Sequence, residues 1–173
     1  QITGTARLDD FAYYRLAYFE GLTPGELRQI GEPITEPKEN ETLAEWDVGN
    51  LEGLYTLVLT AVRNDGTFEE LSVPVTVDKT PPTAVITSPR PEQRFSVDDE
   101  FILIQADVSD DISLERVEFY AGGSGVPFAI STVPPYTEQF RVFNTGCVSF
   151  RVVAVDAAGN EGESTAVGVC VEE

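Results

Sequence analysis

The chain carries the same pattern twice, and that repetition constrains its fold more than any other feature. Gly4-Thr-Ala-Arg-Leu-Asp-Asp-Phe-Ala-Tyr-Tyr-Arg-Leu-Ala-Tyr18 reads almost position for position against Gln105-Ala-Asp-Val-Ser-Asp-Asp-Ile-Ser-Leu-Glu-Arg-Val-Glu-Phe-Tyr120. Further on, Tyr55-Thr-Leu-Val-Leu-Thr-Ala-Val-Arg-Asn-Asp-Gly66 aligns with Val148-Ser-Phe-Arg-Val-Val-Ala-Val-Asp-Ala-Ala-Gly159, and a Val-rich alternating run follows each. Each copy is then a folding unit of about ninety residues, enough to hold a core of its own. The junction runs through Pro81 and Pro82, so the expected domains are 1–79 and 80–173.

Period-two alternation recurs along both copies, and no segment keeps apolar residues at helical spacing for three turns. The second copy predicts strands over 83–88, 100–108, 114–121, 128–132, 136–142, 147–156 and 165–171. Seven short strands with Gly, Pro and Asp between them imply an all-β Greek-key sandwich. The first copy predicts 2–8, 12–20, 27–30, 42–47, 54–63 and 71–78, one strand fewer. Residue 1 aligns inside the strand equivalent to 100–108, so the first domain is expected to lack its first strand, which would lie upstream of Gln1. That leaves an exposed edge unless a neighbour or residual sequence covers it. The two prolines fix φ and favour extended geometry before them, which makes a short stiff linker the expectation for the junction. Gly53 turns the chain ahead of Tyr55, whose hydroxyl is expected to return to nearby backbone as a tyrosine corner.

Composition excludes several functions. A formal net charge of −19, with the acidic residues divided evenly between the halves, repels phosphate backbones, so nucleic acid is not an expected partner. There is no His, which removes the commonest general base and zinc ligand, and with them serine–histidine and cysteine–histidine catalysis. No glycine-rich phosphate loop or dinucleotide fingerprint occurs. The acidic pairs lie in short turns with no insertion to wall off a substrate, so carboxylate-pair hydrolysis has no cleft to work in. No apolar run approaches the roughly 20 residues that cross a bilayer. The reading is a fragment that is not an enzyme and makes no membrane contact.

The two cysteines bracket the turn Asp156-Ala-Ala-Gly-Asn-Glu161. If that turn centres between Ala158 and Gly159, Cys147 faces Cys170 across adjacent strands, Val148 faces Val169 and Phe150 faces Val167 on the inner side, and Ser149 with Gly168 and Arg151 with Ala166 face outward. A disulfide between Cys147 and Cys170 is expected, on the outer face, with two free thiols as the alternative. A disulfide implies an oxidising compartment.

Oxygen ligands from Asp78, Asp107, Asp110, Asp111, Asp156 and Asn160 could gather at loop ends and suit calcium, the one cofactor considered. The alternative is that these side chains cap backbone amides in turns. Trp46 lies in an alternating Leu43-Ala-Glu-Trp-Asp47 run and is either core or a ligand platform. Along 12–18, Tyr14, Leu16 and Tyr18 share one face and Tyr13 and Arg15 the other, which makes Tyr13 the surface aromatic and, with Trp46, a candidate for ligand binding.

Val75-Thr-Val-Asp-Lys-Thr-Pro-Pro82, Val117-Glu-Phe-Tyr120 and Val155-Asp-Ala-Ala-Gly-Asn160 resemble the bacterial immunoglobulin-like and fibronectin-type-III-like modules of secreted and surface proteins. The resemblance implies two tandem immunoglobulin-like Greek-key sandwiches. Phe11-Ala-Tyr-Tyr-Arg-Leu-Ala-Tyr-Phe-Glu-Gly-Leu-Thr-Pro24, Gln29-Ile-Gly31, Leu43-Ala-Glu-Trp-Asp47 and Gly53-Leu-Tyr-Thr-Leu57 are similar to modules at the carboxyl end of large penicillin-binding proteins, the peptidoglycan glycosyltransferase/transpeptidases. That family's Ser-x-x-Lys and Lys-Thr-Gly motifs do not occur here, so its catalysis would lie upstream. The resemblance implies an extracytoplasmic, monomeric spacer or interaction module of a bacterial cell-envelope protein. Its expected partners are cell-wall polysaccharide or another envelope protein, and a peptidoglycan-binding module or calcium-stiffened adhesin segment is the alternative.

Overall fold

The computed structural model describes residues 1–173. The chain divides into two units, Gln1–Asp78 and Lys79–Glu173. Each is nearly all β.

The first unit is built from β1 (Ile2–Ala6), β2 (Phe11–Glu20), β3 (Arg28–Ile34), β4 (Lys38–Ala44), β5 (Gly53–Arg63) and β6 (Phe68–Val77). Four of these form a sheet in the order β3-β2-β5-β6, while β1 pairs with β4 alone. Ala6, Tyr14, Leu16, Ile30, Leu43 and Ala61 are the buried centre between the sheets. The Tyr14 hydroxyl donates to the Leu43 carbonyl at 2.9 Å and so ties β2 to β4 through the core. All six predicted strands form, but β4 starts at Lys38 where the reading began at 42. Lys38-Glu-Asn-Glu41 looks like a loop in sequence; an edge strand needs no apolar side chains, and Asn40 at φ +53° lets it bulge where the pairing with β1 slips.

The second unit contains β7 (Thr83–Ser88), β8 (Arg94–Ser96), a 3₁₀ turn (Val97–Asp99), β9 (Phe101–Ser109), β10 (Leu114–Ala121), β11 (Ala129–Ser131), β12 (Thr137–Arg141), β13 (Gly146–Asp156), β14 (Glu161–Glu163) and β15 (Val167–Glu172). One sheet runs β11-β10-β13-β15-β8, with β14 also on β13, and the other runs β12-β9-β7. The orders match those of the first unit strand for strand, except that β7 and β8 have no counterpart there. Ile102, Ile104, Val117, Phe119, Phe150, Val152 and Val169 make a fully buried core. The rings of Phe128, Phe140 and Phe150 meet edge-on within it. The sequence reading missed β8 and β14. Both are three residues long, and β8 is held by parallel pairing to the distant β15 rather than by any local pattern.

The two copies make the same hairpin turn. In the first, the Arg63 amide donates to the Thr67 carbonyl and the Gly66 amide to the Arg63 carbonyl; in the second, Asp156 N–H reaches Asn160 and Gly159 N–H reaches Asp156. Gly66 and Gly159 take φ of +84° and +90°, a left-handed region that favours glycine.

Candidate functional site

The cysteines are joined, and the route to their register corrects the sequence reading. Close to the turn, β13 pairs with β14 as Val153 to Glu163 and Ala154 to Gly162, so the turn centres on Ala158 rather than between Ala158 and Gly159. The chain then gains one residue over 164–166 and resumes as β15 with Phe150 opposite Val167, Val148 opposite Val169 and Cys147 opposite Cys170. Arg151 therefore does not pair with Ala166. The earlier turn centre and the extra residue cancel. At the break, buried Ser164 holds the ladder: its hydroxyl accepts the Val152 amide at 2.9 Å and its own amide donates to the Val152 carbonyl. Cys147 is exposed and Cys170 half-buried, on the outer face, while Val169 and Val171 point inward. The Cys170 amide donates to Gln93, away from β13, so the cysteines form a non-hydrogen-bonded pair with Cα atoms 4.0 Å apart.

Two of the candidate carboxylates, Asp110 and Asp156, bond turn amides. Asp156 is completely buried; Oδ1 accepts the amides of Ala158 and Asn160, both at 2.8 Å, and Oδ2 accepts Asn160 Nδ2 at 2.7 Å. Burial pushes this carboxyl upward, but the hydrogen bonds from Asn160, Ala158 and Gly159 outweigh it and hold the group below its ordinary value. Asp156 and Asn160 are thus engaged with N–H donors rather than set out as cation ligands. Asp110 Oδ2 accepts the amides of Ile112 and Ser113 at 3.0 and 2.7 Å, and Asp111 is exposed beside it. Asp107 lies on the exposed face of β9. Asp78 is the last residue of the first unit.

The aromatic candidates separate. Trp46 is half-buried against the first core, its ring 4.9 Å from Tyr18 and 6.0 Å edge-on to Tyr55. It packs rather than standing out as a platform. Tyr14 and Leu16 are buried, as parity requires, and Tyr13 is half-buried on the opposite face beside exposed Arg15. The Tyr55 hydroxyl donates to the Glu52 carbonyl at 3.2 Å, the tyrosine corner that Gly53 makes possible.

One polar array escaped the sequence reading. Arg116, Glu118 and Tyr120 alternate along the outer side of β10, with Arg116 Nε 2.7 Å and the Tyr120 hydroxyl 2.5 Å from Glu118. The Arg151 guanidinium lies 3.9 Å over the Tyr120 ring. Hydrogen bonds from Tyr120 and Arg116 hold Glu118 below its ordinary value. The period-two spacing of 116, 118 and 120 was the available signal. Its partner Arg151 comes from β13, across the strand register.

No helix is long and apolar enough to cross a membrane. Residues 82–163 match the profile of the bacterial Ig domain. No curated protein matches the chain. Among solved structures, the fibronectin(III)-like modules of Clostridium thermocellum CbhA are 30% identical, with 51% of this chain and 94% of that one covered and a TM-score of 0.47. The FN1–FN3 domains of chicken CNTN1 are 17% identical over 95% of this chain and 57% of theirs, with a TM-score of 0.57, a likeness of fold. The tetra-tandem repeat from the extending region of a large adhesion protein is 15% identical over 94% and 42%, with a TM-score of 0.43. The chain is a tandem of Ig/fibronectin-III-like modules, domains that are generally non-catalytic and typical of extracellular bacterial surface proteins.

Proposed function

We propose that the two modules form a non-catalytic spacer and interaction segment on the extracytoplasmic side of a bacterial cell-envelope protein. The observation that carries this reading is the Cys147–Cys170 disulfide closing neighbouring strands of an Ig-type sandwich, a bond that persists in an oxidising compartment and stiffens a module held outside the cell. The host to test first is a large penicillin-binding protein acting in peptidoglycan synthesis, on the residues of the first module that resemble that family's carboxyl-terminal modules.

Sedimentation with purified peptidoglycan sacculi tests the assignment. A spacer stays in the supernatant. Cosedimentation that Tyr13→Ala abolishes, with folding intact, would replace the spacer by a wall-binding module. Melting in calcium and in chelator tests the adhesin alternative: with Asp156 and Asn160 bonded to each other and to turn amides, the two curves should coincide, and a rise with calcium would favour a cation-stiffened segment.

A further inference from the structure

The sheets of both units end in edge strands, and all but one of the edges that the fold itself leaves are guarded. β3 carries Gly31 at φ +65°, Glu32 and Pro33; β4 carries Glu39, Asn40 and Glu41; β6 carries Glu69, Glu70 and Pro74; β12 carries Glu138 and Arg141. β8, β11 and β14 are only three residues long. Charge, proline and brevity each discourage pairing with a further strand. The edge of β1 lies over an apolar cleft of about 200 Å³ walled by Leu57 and Leu59 of β5 and Leu71 and Val73 of β6, but Gln1 falls inside the strand equivalent to β9, so that edge reflects where the sequence begins.

β7 is different. Thr83-Ala-Val-Ile-Thr-Ser88 ends the sheet β12-β9-β7 with neither a charge nor a proline. Its pairing with β9 runs unbroken from Thr83 opposite Ser109 to Ile86 opposite Ala106 and bulges only at Thr87. The direction of its free backbone groups follows from β9. The Ala106 amide donates to the Tyr136 carbonyl at 2.9 Å, on the β12 side, so it turns away from β7 and makes a non-hydrogen-bonded pair with Ile86. Antiparallel pairs alternate, so Val85 and Asp107 exchange backbone bonds while Ala84 and Val108 do not. The amides and carbonyls of Ala84 and Ile86 therefore face outward along the open edge. No other strand pairs there.

We propose that two copies of the chain associate by pairing β7 with β7, antiparallel about a two-fold axis through Val85. The segment is its own complement in that register. Ala84 of one copy stands opposite Ile86 of the other, and since these are the residues whose groups are free, each such pair exchanges both backbone bonds. Val85 meets Val85 as the closer, non-hydrogen-bonded pair, and Thr83 meets Thr87. All three lie on the exposed side, Val85 at 59%. Pairs of β-branched side chains directly opposite one another stabilise a sheet. Charge selects the place: at a net charge of −19 copies repel over most of their surface, whereas residues 80–89 carry no charged side chain. An isologous contact of this kind closes at two copies. The inference goes beyond the spacer reading and does not depend on it.

Sedimentation equilibrium of the full chain from micromolar to millimolar concentration tests this, with amide exchange followed by NMR over the same range. The mass should rise from one copy to two, and the Ala84 and Ile86 amides, open in the single copy, should gain protection with it. Val85→Lys should weaken association about tenfold, because it removes the central pair and sets two cations face to face, even though it lowers the net negative charge that drives copies apart. Val85→Thr, still β-branched and uncharged, should keep the dimer. So should Ile130→Lys, exposed on β11 in the other sheet. Melting curves establish that each variant is folded. A single copy at millimolar concentration, a Val85→Lys dimer as tight as the parent, growth past two copies, or protection gained along β1 or β6 instead of at Ala84 and Ile86 would each overturn the proposal.

Discussion

The two units carry one pattern with two outcomes. Positions occupied by Phe150 and Val152 are sealed in the second unit, while Leu57 and Leu59 at the same places in the first are half-open. The difference is not in the side chains, which are large and apolar in both. It lies in what stands across from them: β7 closes one sandwich, and nothing occupies that place in the other. Burial is a property of the pair of sheets rather than of the side chain alone.

The sharpest way to break this comparison is to truncate the equivalent residues. Phe150→Ala should cost the second unit about 3–5 kcal/mol, because a fully buried ring leaves a cavity among Phe128 and Phe140. Leu57→Ala should cost the first about 1–2 kcal/mol, since part of its surface already meets water. Guanidinium titration followed by NMR signals of each unit measures both. Equal losses would mean the cleft is closed in solution.

Next in size is the disulfide, which only the second unit has. Replacing Cys147 and Cys170 by serine should remove about 2–4 kcal/mol from that unit and leave the first unit's transition in place, as the same titration would show. A matching loss in the first unit would deny that the two fold independently.

Gly162 and Glu69 make the comparison at the entry to the missing strand. Gly162→Ala should destabilise the second unit by about 1–3 kcal/mol, because the added methyl meets the Pro82 carbonyl. Glu69→Ala, exposed in the first unit, should change stability by less than about 0.5 kcal/mol. Thermal melts of the two variants decide it, and a tolerated alanine at 162 would show that β7 can move aside.

How much of this could be read beforehand follows from where the forces act. The repeat and the alternation carry the strand list, because side-chain parity is local and every core strand must show it. Tyr14 and Leu16 inside with Arg15 outside follow from that parity alone. The cysteine register rests on two offsets that cancel, and nothing in Ser164-Thr165-Ala166 announces the extra residue; the break is stabilised by a serine hydroxyl reaching a particular amide on β13. β8 depends on a partner some seventy residues away, and Gly162 on the carbonyl of a residue in another strand's lead-in. At 156 the sequence shows an acidic residue but not the three nitrogens that surround it. The open edge of β1 was legible from the strand count. The cleft beneath it was not, because its walls come from β5 and β6.

The hairpin turn gives the smallest and most discriminating test. Both copies make the same backbone turn, and each uses a carboxylate: Asp65 accepts Thr67 in the first, and Asp156 accepts Ala158 and Asn160 in the second. Hydrogen bonds from Thr67 hold Asp65 below its ordinary value; for Asp156 burial acts upward first, yet its hydrogen bonds leave it lowered too. A lowered folded-state value means the unfolded chain binds protons more readily, so each contribution is complete at neutral pH and is lost as pH falls below the ordinary aspartate value through the lowered one. Asp65 is exposed and solvent screens it, whereas Asp156 is buried and would become a protonated acid facing three N–H donors. Glu118, lowered by Tyr120 and Arg116, adds to the same side of the balance. The second unit should therefore lose stability faster on acidification. Asp156→Asn should bring the two pH profiles together by flattening the second, while Asp65→Asn should barely move the first. Unit-resolved melting between pH 7 and pH 3 reads this directly. Parallel profiles in the unsubstituted chain would mean that Asp156 keeps its bonds when protonated and that the two turns, alike in backbone, are alike in energetics as well.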